Sequence, residues 1–353
     1  MAIRAFNRIT FSTLAVLLFL SVIVLFTTVS YCPKFSLQNP PIIIQNISLL
    51  GEPYVYANEV DFRIIIITLN RPQSLLVLLE SIEEIELDGD SASLEIWIDR
   101  DRQGQVDSNT VDAAISFHWR KGPTRVYVHS THVGIYGQWI LTWRPKSPAS
   151  REIALILEDD MSVSKYCYRW LKRVHGFYET SAMFAGATLQ SDTVLSHDGS
   201  STPLKGQKNH TVFMYKCIGT WGFSPKPAVW IGFQNWFRIN YQNKEFCPCV
   251  PGISPTKWYK NFKKQKREDS MWSAWFIYYA YEEKLFTLYS NLKSYNNDLI
   301  SCLSINRREK GLHYDGQNKE THCQLLNSWK ENYVDFPKHV TKLDWNGKYI
   351  DSY

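Results

Sequence analysis

The strongest constraint on the fold is one heptapeptide, Ala154-Leu155-Ile156-Leu157-Glu158-Asp159-Asp160. An apolar run without alternation predicts a strand buried on both faces, as in a parallel sheet. The carboxyl end of such a strand is where an open α/β sheet holds its ligand. Three carboxylates crowded there repel one another unless positive charge sits among them. A divalent cation carrying a diphosphate would supply it, because hard cations take oxygen ligands. A solvated acidic loop is the plainer alternative, and the rest of the chain has to decide between the two.

The surrounding sequence repeats one unit. Residues 62–69 (FRIIIITL) are apolar and β-branched almost throughout, which predicts a central strand. Asn70-Arg71-Pro72 breaks it, and leucines at helical spacing fill residues 74–85. A strand at 94–98 ends in Asp99-Arg100-Asp101 and is followed by a helical pattern over 111–119. A strand at 124–129 leads through Val133-Gly134-Ile135-Tyr136-Gly137 into a helix reaching 143, and 166–178 reads as helix again. This alternation predicts a doubly wound, mostly parallel α/β sheet with right-handed crossovers. The loops after successive strands carry Arg71, Asp99, Asp101, Gly134, Asp159 and Asp160, the distribution expected of a nucleotide site. Asp99 could equally cap a helix, and Gly134 could serve turn geometry alone. No Gly-x-Gly-x-x-Gly follows the first strand and no Walker loop occurs, which disfavours dinucleotide and P-loop readings.

Beyond residue 180 the pattern changes. Strands are expected at 182–189, 212–217 and 285–289, with turn formers over 191–209. An Ile-Gly-Thr-Trp-Gly-Phe segment (218–223) precedes an aromatic helix at 225–237. A basic stretch at 257–267 runs into Glu268-Asp269-Ser270, and Asp269 or Ser270 would cap the Trp-rich helix that follows. Residues 310–316 read as a loop.

At the amino end, residues 9–29 carry no charge and follow Arg4 and Arg8. About twenty apolar residues span a bilayer, and the positive flank stays cytoplasmic. The expected layout is a cytoplasmic tail (1–8), a transmembrane signal anchor (9–29), a luminal stem (30–60) with Pro40, Pro41 and Pro53, and a catalytic domain (61–353). A cleaved secretory signal is the alternative. Sequons at Asn46 and Asn209 agree with either route. Cys32, at the membrane edge, could be lipidated, bridge two chains into an oligomer or stay free. Cys167, Cys217, Cys247, Cys249, Cys302 and Cys323 lie beyond it, where disulfides form, though their pairing is not readable. Cys247-Pro248-Cys249 lacks the spacing of a zinc site. A net charge of +5 with 14% aromatic residues is neither a nucleic-acid-binding nor a disordered balance.

The FRIIIITLNR strand, the ILEDD strand end, GTWGF, and an acidic pair before a Trp-rich helix occur in an order that resembles GT-A glycosyltransferases. Within that class the pattern resembles N-acetylglucosaminyltransferase I and its family-2-like kin, over about residues 62–315. The resemblance implies a GT-A (Rossmann-like) sheet with an acceptor-side subdomain, anchored in the Golgi membrane. It implies metal-dependent, inverting transfer from a nucleotide-diphosphate sugar, UDP-linked and with UDP-GlcNAc one option, to a glycan or glycoconjugate hydroxyl. Asp160 would ligate Mn²⁺ or Mg²⁺, Asp159 would join the metal shell or hold ribose, and Glu158 would face the donor sugar. Arg71 and Asp99 or Asp101 would contact the nucleotide. Asp269 is the expected base, with Glu268 the alternative. No separate nucleophile with an activating partner is visible, so direct displacement is favoured. The acidic pair is Glu-Asp where the family has Asp-Asp, and the carboxyl-terminal part is shorter.

Trp221, Trp272 and Trp275 would form either an acceptor wall or core. His313 would be either an ordinary loop residue or a contact to the metal or diphosphate. The basic stretch 260–267 is a solvated face, or else it attracts an anionic acceptor or a phospholipid surface. The competing class is a non-catalytic, membrane-anchored carbohydrate-binding or scaffold protein of the same fold.

Overall fold

The computed structural model describes residues 41–44, 51–190, 204, 206–292, 301–310 and 323–350. The compact unit runs from Pro40 to Tyr353. The expected span at 9–29, Asn46 and His313 lie outside the described residues. Among the described residues no helix is long and apolar enough to cross a membrane.

The architecture is α/β. Strands β1 (Ile42–Ile44), β2 (Phe62–Thr68), β3 (Ala92–Ile98), β4 (Thr124–His129) and β5 (Ile153–Glu158) form a parallel half in the order β1-β4-β3-β2-β5. β6 (Met161–Val163) lies outside this sheet. β7 (Phe184–Thr188), β8 (Val212–Tyr215), β9 (Phe223–Pro225) and β10 (Phe286–Ser290) extend the sheet beyond β5. β11 (Ser301–Cys302), β12 (Ser304–Asn306) and β13 (Gln324–Leu325) make small ladders, and β14 (Thr341–Leu343) closes the ten-stranded sheet. β9 enters antiparallel between β5 and β7, so the sheet is mostly rather than wholly parallel.

Every residue of β2 and β3 is buried, as unalternating strands require. Ile64 and Ile66 face one core with helices α1 (Pro72–Glu83), α2 (Ser108–Ser116) and, beyond the α3 helix (Gly134–Leu141), α4 (Cys167–Tyr178). Ile65 and Ile67 face the other, with α3, α5 (Pro227–Asn240) and, past the α6 helix (Ser254–Lys264), α7 (Ser273–Glu282). Helices thus cover both faces. The second core is built largely of rings, with Trp139 stacked on Trp272 at 4.4 Å between centroids.

The expected stem is partly built into this unit. β1 pairs with β4, and Tyr56 is 4% exposed. The Tyr54 amide donates to the Leu141 carbonyl at 2.7 Å, and the Tyr56 hydroxyl to that of Thr142 at 3.0 Å. The prolines there hid a segment whose order comes from long-range contacts rather than from its own periodicity.

At the amino end of the parallel strands lies a buried charge network that the apolar character of β2 conceals. Arg63, fully buried, donates from Nε and Nη2 to Glu152 at 2.9 and 2.8 Å and from Nη1 to Glu95 at 2.5 Å. Its guanidinium lies 4.0 Å from the Tyr56 ring centroid. Two pairs of cysteines lie at disulfide distance, Cys302 with Cys323 and Cys247 with Cys249. Cys167 and Cys217 are buried thiols, each pushed up to about 12 by burial.

Arg63→Leu should cost about 3–5 kcal/mol in denaturant unfolding, because it strands two buried carboxylates. Replacing Arg63, Glu95 and Glu152 together by apolar residues of similar volume should recover much of that loss. A single substitution that leaves stability unchanged would show the network to be dispensable.

Candidate functional site

In the parallel half, β2 lies between β3 and β5, so the connections reverse direction between β2 and β5. An open α/β sheet parts its loops at such a switch point. The ends of β2 and β5 there bring Thr68, Arg71 and the three acids together.

Pro72 at the first turn of α1 suits a helix start, since its missing N–H would have no partner there. Arg71 in the cap position makes no cap bond, and its side chain reaches across to β5 instead. It donates from Nη2 to Asp159 Oδ1, and its Nη1 lies 3.6 Å from Asp160 Oδ2. Thr68 Oγ1 donates to Asp159 Oδ2 at 2.6 Å. Both oxygens of Asp159 are therefore engaged within the protein. Asp160 Oδ1 accepts from Asn306 Nδ2 at 3.0 Å, while Glu158 Oε1 accepts from Trp139 Nε1 at 3.0 Å.

Arg71 pairs with Asp159 and Asp160, both buried, and leaves the half-buried Glu158 with no ion-pair partner of its own among the described residues. Burial, then the neighbouring Asp160 and Asp159, push Glu158 up to about 8. Burial pushes Asp159 up to about 6 against the pull of Arg71 and Thr68. Asp160 is also raised, first by burial, against Arg71 and Arg307. The site holds more negative charge than its own residues neutralise, and its free donors are hard carboxylate oxygens. That suits a magnesium- or manganese-type cation. Among the described residues no three His, Cys, Asp or Glu side chains converge as a ready-made cage. Asp160 would be the carboxylate to hold such a cation, because both oxygens of Asp159 are already engaged.

A cavity of about 660 Å³ opens over this point. Arg71, Asp99, Asp101, Gly134, Glu158, Asp159, Asp160 and Asp269 all line it. Glu268 does not line it. Successive residues of the 3-10 turn Glu268–Ser270 point about 120° apart, and of its two acids Asp269 lines the cavity, beside Ser270. Asp269 is exposed, with Arg102 Nη2 3.7 Å from its Oδ2. The Tyr136 hydroxyl holds this turn by donating to the Glu268 carbonyl at 2.7 Å.

The acids after β3 line the cavity and also hold backbone. Asp99, 3% exposed, accepts the Val133 amide at 2.9 Å and the Gly134 amide at 2.8 Å. It caps α3 from a neighbouring strand, the alternative open at the sequence level. Gly134 has φ +63°, a left-handed conformation that favours glycine. Asp101 Oδ1 accepts the amides of Gln103 at 2.9 Å and Gln105 at 2.7 Å, shaping its own turn. Trp221 and Trp272 line the cavity. Trp275 does not; it is core, donating from Nε1 to the Tyr136 hydroxyl at 3.1 Å.

The sequence pattern gave no firm role to the strand that frames the acids from outside the main sheet. β12 pairs antiparallel with β6, directly after Asp160. The Arg307 amide donates to the Asp160 carbonyl at 2.9 Å, and its Nη2 to the carbonyls of Asp159 at 2.7 Å and Ser74 at 2.8 Å. Glu309 accepts from Ser74 Oγ, and Glu309 and Lys310 line the cavity with Asn306. Only the Asn-Arg-Arg run at 306–308 marked this segment in the sequence.

No protein-family model matches this chain, and no curated protein matches it.

The raised acids have a stability consequence. Glu158 ordinarily titrates near 4.5 but reaches about 8 when folded. Its favourable contribution is full below the ordinary value and is lost as pH rises through 8. The thermal midpoint should therefore fall between about pH 5 and 9, and Glu158→Gln should flatten that fall. Equal slopes in both proteins would remove Glu158 as the source.

Proposed function

We propose that this chain is a type II, Golgi-anchored glycosyltransferase of the GT-A class. In this reading it moves a sugar from a nucleotide-diphosphate sugar, UDP-linked, to a glycan hydroxyl with inversion. The observation that carries the reading is the largely buried, under-neutralised acid triplet at the switch point, which shares one cavity with Asp269. Diphosphate binding by way of a hard cation fits that charge imbalance. A doubly wound sheet and an uncharged amino-terminal run after two arginines are consistent with it.

The residues divide the work as follows. Asp160 is the ligand for Mn²⁺ or Mg²⁺, which when bound would neutralise charge on the leaving diphosphate. Arg71 and Lys310 face the same charge. Trp139 holds Glu158 by a hydrogen bond, and Glu158 would accept another from a hydroxyl of the donor sugar. Trp221 offers an aromatic face beside the opening. Asp269 accepts the proton of the acceptor hydroxyl as its oxygen bonds the anomeric carbon and the bond to diphosphate breaks. One base and no protein nucleophile make a single displacement, hence inversion.

The test is nucleotide release by the full chain across a set of nucleotide sugars, with Mn²⁺ and with EDTA. Asp160→Asn should abolish metal-dependent release and the rise in thermal midpoint on adding Mn²⁺. Asp269→Asn should lower kcat by about 10²–10⁴-fold while keeping that rise. Absence of both turnover and metal-dependent nucleotide binding would leave a non-catalytic protein of this fold.

A further inference from the structure

Residues 254–267 hold six cations, Lys257, Lys260, Lys263, Lys264, Lys266 and Arg267, and no carboxylate. The structure gives this stretch a definite place. Helix α6 turns Pro255, Thr256 and Tyr259 inward, and Tyr259 packs with Met271 and Ala274. All six cations are exposed. Lys257, Lys260 and Lys264 are three and four residues apart, so they stand on one face. Trp258, 52% exposed, stands about 100° round the helix from Lys257.

Among the described residues, none of the six is paired with a carboxylate. That sets them apart from Lys165, Arg169 and Lys172, which pair with Glu86, Asp88 and Asp90. Arg267 lies 5.5 Å from the Phe262 ring centroid, and the like charges of the stretch repel one another with no carboxylate to offset them. The helix also leads straight to the chemistry: it is followed by Glu268–Ser270, which sets Asp269 on the cavity wall. Arg102 adds a further cation at that lip.

We propose that this face binds an anionic glycan, whose sulfate, phosphate or carboxylate groups meet the lysines while a sugar ring lies on Trp258. The acceptor would then be an acidic saccharide, held along the helix so that its hydroxyl reaches Asp269. This rests on the transferase reading above for the role of the bound chain, but not for the binding itself. A lipid surface fits less well. An interfacial helix sinks an apolar face several ångströms into the headgroup region. Here the apolar face is spent on the protein core, and the outward face offers one aromatic ring among lysines.

The experiment compares the full chain with a Lys257→Gln/Lys260→Gln/Lys264→Gln variant and with Trp258→Ala. A Lys165→Gln/Lys172→Gln variant is the control, because those lysines already have partners. The probes are heparin as a polyanionic saccharide, dextran as a neutral one, and phosphatidylserine vesicles. All substituted residues are surface lysines or an exposed ring, and thermal melts check that folding is kept. Heparin should bind in a salt-sensitive manner and dextran should not. The triple variant should bind heparin about tenfold more weakly, and Trp258→Ala should weaken it at any salt concentration, while the control matches wild type. Equal binding by the triple variant, or vesicle binding without heparin binding, overturns the proposal. Donor hydrolysis to free nucleotide, measured in parallel, should be unchanged in the triple variant. Its absence in every protein, with heparin binding intact, would fault the transferase reading and leave the glycan site standing.

Discussion

Two buried carboxylates and a half-buried third stand together where β5 ends, and the surrounding structure is arranged around that cost. Arg71 comes from the start of α1, Thr68 from β2, Trp139 from α3 and Asn306 from β12. Four elements from distant parts of the chain thus meet at one point. Each supplies a hydrogen bond that a buried acid cannot do without. Together they still fall short of neutrality, so the acids stay raised and the place remains receptive to positive charge.

The two ends of the parallel half treat charge in opposite ways. At the amino end Arg63 is closed in by Glu152 and Glu95, its donors spent on protein acceptors. At the carboxyl end one arginine serves two aspartates and leaves a third acid with an indole as its hydrogen-bond donor. The amino-end network is closed off in the core, with Glu95 Oε2 buried and unpartnered among the described residues, whereas the acids at the carboxyl end border a cavity. Asp99 shows the same economy at smaller scale. It takes two amides at the start of α3, and α3 in turn carries Tyr136, whose hydroxyl holds the turn bearing Asp269. The cap and the opposite cavity wall are thereby mechanically continuous.

Much of the sheet was legible in the sequence because its strands are unalternating and its helices keep a helical period. The strand expected at 124–129 is Thr124–His129, and that at 62–69 is Phe62–Thr68. β1 escaped because three isoleucines after two prolines carry no periodic signal. α6 was visible only as a run of charge, since its buried positions are few and two of them are Pro255 and Thr256. Arg63 escaped because an apolar run says nothing about a charge whose partners lie 32 and 89 residues away.

The sequence by itself determined the α/β class, the central position of β2 and β5, and the placing of acids at the carboxyl end of the sheet. These follow from local hydrophobic period and from strand ends, which neighbouring residues encode. Only the tertiary structure decided which donors each acid meets and which acids reach the cavity wall. It set Asp99 and Asp101 to holding backbone, turned Glu268 away while Asp269 faces the cavity, and brought Asn306 and Arg307 against Asp160. Those outcomes depend on which donors arrive from elsewhere in the chain, and no local pattern records that.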